Sequence, residues 1–192
     1  MKKLAKISTY VLIITLLLSV LPTDAEANIY EDTIRLHILA NSDSKEDQAL
    51  KISVRDGLLL EYGERLRSAG SFEGAAQLAE GLLSEIESFA EELINAEGYD
   101  YSVTAILSEE WYETRDYDGF SLPCGIYTSL RILIGEGKGK NWWCVMYPPL
   151  CLDMASSEIY DNKYSEEENA LISADGYRIK FKLLELAADL FR

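Results

Sequence analysis

Histidine is almost missing from this sequence: His37 is the single imidazole in 192 residues. A multi-histidine metal cage is excluded, and any histidine-based dyad must use that residue. Bases are scarce as well, with 18 Lys and Arg against 33 Asp and Glu and a formal net charge of -15. Nucleic-acid recognition rests on clustered cations that neutralise phosphates, so this balance argues against nucleic acid and anionic lipid as partners. Twelve Gly, four Pro and three Cys are too few for a collagen-like, Pro-rich disordered or disulfide-dense chain. No G-x-S-x-G, H-E-x-x-H or aspartic D-T/S-G signature occurs, which leaves nucleophilic, zinc and acid–base hydrolysis without support. What remains is the composition of one globular domain.

Only one long apolar run is present. Lys2, Lys3 and Lys6 precede an uncharged stretch from Ile7 to Leu21, which Pro22 breaks and Ala25-Glu26-Ala27 follows. About 15 apolar residues fall short of the roughly 20 that cross a bilayer as a helix. A basic, an apolar and a small-residue segment in that order make a secretory signal peptide. Residues 1–27 are therefore expected to be removed after Ala27, leaving 28–192 as the exported domain; retention as an anchor is the competing reading. Both place the domain outside the cytoplasm.

Periodicity predicts an α+β domain with a mainly antiparallel sheet. Strands are expected near 33–41, 101–111, 126–134 and 142–147, helices over 44–67, 71–96 and 177–191. In the first strand Ile34, Leu36, Ile38 and Ala40 alternate with Arg35, His37 and Asn41, which reads as half-buried. Leu50, Val54, Leu58, Tyr62 and Leu66 form one stripe of the first helix. Ser42-Asp43-Ser44 offers acceptors for its N-terminus, with Glu46 and Asp47 in the first turn. The second helix carries Glu80, Glu85, Glu87, Glu91 and Glu92 on a face read as solvated, and Gly98 is a plausible stop. Residues 112–125 read as a polar loop. The three glycines of Gly135-Glu136-Gly137-Lys138-Gly139-Lys140-Asn141 suit a tight reversal, so strands 126–134 and 142–147 are expected to form a hairpin.

Few candidate sites survive. The glycine segment lacks the spacing of a phosphate loop and lies between strands, so no nucleotide is expected there. A Cys/His hydrolase could be built from His37 with Cys124 or Cys144, but the bland reading is a strand histidine held by local hydrogen bonds. Adjacent Trp142 and Trp143 point to opposite faces of a strand. One should enter the core, and the other, beside Tyr147, Pro148, Pro149 and Leu150, is either an outward anchor for a partner or part of a second core. A glycan-binding role for exposed aromatics is a further alternative. Three cysteines permit three single disulfides. In a straight strand Cys144 and Cys151 would lie about 23 Å apart, so their pairing needs a turn at the Pro pair. The hairpin register would instead bring Cys124 near Cys151. Both remain open on geometry.

Several strings are recognisable. Arg35-Leu36-His37-Ile38-Leu39-Ala40-Asn41-Ser42-Asp43, Asp47-Gln48-Ala49-Leu50-Lys51, Leu122-Pro123, Gly125-Ile126-Tyr127, Gly135 to Val145 (GEGKGKNWWCV) and Pro148-Pro149-Leu150-Cys151 resemble the stage II sporulation protein R family over nearly the whole exported part. The resemblance implies a signalling ligand of endospore-forming bacteria, not an enzyme. Family members are made in the forespore and exported into the space between the two forespore membranes. There they trigger a membrane-embedded aspartic protease of the mother cell, the GA protein of stage II, which processes the precursor of sigma factor E. No metal or small-molecule cofactor is implied. The family pattern has a small residue where this chain has Cys124, which favours Cys144 with Cys151 as the bridge. Glu136, Lys138, Lys140, Asn141, Trp142, Trp143, Tyr147, Pro148 and Pro149 are the expected partner-contact residues.

Overall fold

The structure is a computed structural model that describes residues 2–18, 24–117 and 120–148, together with Glu167, Glu168, Leu171, Lys182 and Glu185. Along the chain run α1 (Lys2–Leu18), α2 (Asp24–Glu31), β1 (Ile34–Leu39), α3 (Lys45–Arg67), α4 (Phe72–Gly81) and α5 (Leu83–Ala96). The strands β2 (Val103–Tyr112), β3 (Arg115–Tyr117), β4 (Phe120–Leu122), β5 (Gly125–Ile134) and β6 (Asn141–Tyr147) follow. The expected C-terminal helix over 177–191 lies outside the described residues except for Lys182 and Glu185, both helical. No helix among the described residues is long and apolar enough to cross a membrane.

The α+β class and the mainly antiparallel sheet are as expected, and α3 packs through the periodic stripe: Leu50, Val54, Leu58, Tyr62 and Leu66 are all buried. Ser44 caps α3 by accepting from the Asp47 N–H at 3.0 Å, and Ser71 caps α4 by accepting from Gly74. Gly98, at φ 86°, ends α5 in the left-handed region.

Five expectations are corrected. First, β5 and β6 do not form a hairpin. The sheet order is β2-β5-β1-β6, so β1 lies between them, parallel to β5 and antiparallel to β6. The Gly135–Lys140 segment therefore crosses over the end of β1, and Ile134 does not face Trp142. A turn-like sequence between two strands is compatible with either path, because the gap left by one intervening strand is only about 10 Å. Second, the 71–96 helix is two helices. Gly81 ends α4 and Leu82, at φ -97° and ψ -2°, starts α5, since glycine carries the entropic cost that makes a break cheap. Third, the polar 112–125 loop contains the β3–β4 ladder.

Fourth, β1 is not half-buried. Its residues Ile34 to Ile38 are all buried, as befits a central strand covered on both faces. Ile34, Leu36 and Ile38 belong to the core shared with α3, α4 and α5. Arg35 and His37 point to the other face, where a second, smaller core holds Ile29, Tyr112, Leu122, Cys124, Tyr127, Val145 and Leu171. Fifth, the acidic face of α5 is more than solvated. Glu91 accepts the Val103 N–H at 3.0 Å and Glu87 the Ala105 N–H at 2.9 Å, and Glu85 pairs with Arg65.

Candidate functional site

Where β1 gives way to α3, the turn Asn41-Ser42-Asp43-Ser44 and the loop Gly135–Lys140 are tied into one unit. Backbone bonds run from Gly139 N to Ala40 O at 2.8 Å and from Lys138 N to Asn41 O at 3.3 Å. Asn41 Oδ1 accepts from Glu136 N at 3.0 Å and Asp43 Oδ1 from Lys140 N at 2.7 Å. Close approach makes this possible. A Cβ on Gly139 would collide with the Ser42 carbonyl, and one on Gly135, at φ +57°, with the Asn41 side chain.

Beneath the turn, the first two turns of α3 supply two buried charges, Asp47 and Lys51. Asp47 Oδ2 accepts from Asn41 Nδ2 at 2.9 Å and from Ser42 Oγ at 2.6 Å. Burial alone would raise the Asp47 carboxyl, but hydrogen bonds from Ser42, Asn41, Tyr101 and Ser44 outweigh it and hold it below the ordinary carboxylate value. Lys51 Nζ donates to the Lys140 carbonyl at 2.8 Å and to Gln48 Oε1 at 2.7 Å. Burial draws that ammonium below its ordinary value. The loop's outward side chains Glu136 and Lys138 are exposed and paired at 2.9 Å, and Lys140 and Asn141 are exposed.

On the second face of the sheet lies a buried polar network. His37 Nδ1 and Glu110 Oε2 share a hydrogen bond of 3.0 Å. Glu110 Oε1 pairs with Arg131 at 2.9 Å. The imidazole stacks on Trp143 with ring centres 3.7 Å apart. Arg35, 0% exposed, donates to the Tyr117 hydroxyl at 2.7 Å and the Cys144 carbonyl at 3.3 Å. Its guanidinium also lies over the Tyr112 ring at 4.3 Å and the Tyr127 ring at 5.1 Å. Burial pushes the Tyr112 phenol far above its usual range.

The expected contact residues are thus divided. Glu136, Lys138, Lys140 and Asn141 are at the surface, while Trp142 packs against the helix-side core beneath Arg55. Trp143 is not a free outward anchor but belongs to the second core, and Tyr147 and Pro148 are buried. Pro149 and Cys151 lie outside the described residues. A Cys144/His37 nucleophile is not assembled: Cys144 is disulfide-bonded and sits on the helix side, whereas His37 faces the opposite side with Nδ1 on Glu110; Cys124 is buried in the second core. Sequence reasoning passed over Arg35, Glu110, Tyr112 and Lys51. The usable signal lay in Asp47 and Lys51, four apart and therefore on one side of α3 with Leu50 and Val54.

Residues 30–157 match the family model for stage II sporulation protein R. The stage II sporulation protein R of Bacillus subtilis (strain 168) is 33% identical over 186 residues, covering 85% of this chain and 83% of that protein. No solved structure matches.

Proposed function

The chain belongs to the stage II sporulation protein R family, and from that premise we propose that it is the exported signal that switches on the mother cell's membrane-embedded aspartic protease. Made in the forespore, it passes into the space between the two forespore membranes and engages the extracytoplasmic part of the protease, the GA protein of stage II. Processing of the sigma factor E precursor follows. A ligand shifts an equilibrium only through unequal affinity for two states. The protein must therefore bind the active arrangement of the protease more tightly than the inactive one, and it makes or breaks no covalent bond itself.

The observation that carries this reading is the Gly135–Lys140 loop. It is held to the β1–α3 turn by backbone and side-chain bonds while Glu136, Lys138 and Lys140 face solvent. A surface already fixed in shape loses little freedom on binding, which is what recognition by shape requires. Co-expression with the protease and the sigma precursor in a non-sporulating host tests the proposal. Processing should require the full chain and fail without residues 1–27. Lys138→Ala should reduce it while secretion and folding stay intact; processing without the chain would refute the proposal.

A further inference from the structure

We infer that the outer edge of β2 is a docking site for an extended basic segment of another protein, which adds to the sheet as a fifth strand and places a Lys or Arg side chain beside Glu109. β2 is an end strand. The N–H groups of Val103 and Ala105 are turned away from β5, since they donate to Glu91 and Glu87. By the period of two, Leu107, Glu109 and Trp111 present their N–H and C=O groups the same way. Among the described residues nothing accepts from these three. An edge with free ladder groups is the template for strand addition. The two α5 carboxylates close its first half, so an added strand is confined to the stretch from Leu107 to Trp111.

The groove next to that stretch selects the occupant. A cavity of about 630 Å³ is lined by Glu31, Asp32, Glu73 and Glu109 with Phe72 and Ile126, and no Lys or Arg lines it among the described residues. Burial and the repulsion of Glu168, Glu73 and Glu31 raise the Asp32 carboxyl. Ile126 is 57% exposed and with Phe72 offers apolar surface to the stem of a long basic side chain. Glu109 lies on the helix-side face of β2 together with Val103 and Ala105, so a strand residue opposite it points into the same groove. A second copy of this chain fits poorly, because antiparallel pairing of two β2 edges would set like charges of Glu109 against each other.

The test uses the protein as exported, isotope-labelled, with a capped peptide of alternating lysine and valine about ten residues long, the length of β2. Binding should be saturable, slow amide exchange at Leu107 and Glu109, and leave Thr104 unchanged. A glutamate–valine peptide should not bind, and the Glu73→Gln/Glu109→Gln pair should weaken the lysine peptide by roughly tenfold. Glu109→Pro removes a donor the sheet does not use and should abolish binding; if that variant does not fold, the Gln pair alone decides. Unchanged exchange at these amides, equal affinity for both peptides or for the Gln pair, or self-association through this edge would overturn the inference.

Discussion

At the scale of single residues, the buried Asp47 is the hinge of the loop architecture. Its carboxylate accepts from both Asn41 and Ser42, so Asp47→Ala should cost about 2–3 kcal/mol, the worth of hydrogen bonds to a charged group, read by urea unfolding. Its carboxyl titrates below the ordinary 3.8 in the folded chain. A depressed folded value means that the stabilisation is fully present above the unfolded value and is lost as pH falls through the folded one. Wild-type stability should therefore fall more steeply below about pH 4 than that of Asp47→Asn, measured by unfolding at a series of pH values. Trp143 and Lys138 make a second contrast. Trp143→Ala should destabilise by about 3–5 kcal/mol through loss of the His37 and Tyr112 contacts. Lys138→Ala should stay within about 0.5 kcal/mol, so that a signalling defect in it reports contact and not folding.

At the scale of elements, glycine decides how closely the two connections at the top of the sheet can lie. Gly139→Ala must push the Ser42 carbonyl away, and a cost of about 1–3 kcal/mol is expected. Amide shifts concentrated at Asn41–Ser44 would locate the damage, and an unperturbed turn would contradict the interlock. The glutamates of α5 act on the sheet and not only on water. Glu87→Ala with Glu91→Ala leaves the Val103 and Ala105 donors open, which should lower stability by about 1–3 kcal/mol. The sequence period placed α3 and most strand centres because each buries one regular stripe. It missed the break at Leu82 and the β3–β4 ladder, since three-residue strands and a one-residue break are too short for a period to register.

At the scale of the whole molecule, the described residues form a helix-side core and a second core on the two faces of the sheet, with β1 between them. We propose that the partner of the disulfide-bonded Cys144 is Cys151, the one cysteine left once Cys124 is counted as a thiol. Peptide mapping of the protein without reductant should recover that linked pair, with Cys124 as a thiol. Cys144→Ser should lower stability by about 2–4 kcal/mol; recovery of a Cys124 linkage would refute the pairing.

Composition and period by themselves determined the α+β class, the α3 stripe and the caps, because each is a local property of neighbouring residues. They also singled out the glycine loop, but not its path. That β1 runs between β5 and β6, that Arg35 and His37 are buried against Tyr112 and Trp143, and that the loop is pinned by Asn41 and Asp43 were decided only in three dimensions. Strand order is set by which surfaces can be covered on both sides at once. A chain read one residue at a time carries no record of what lies on its far face.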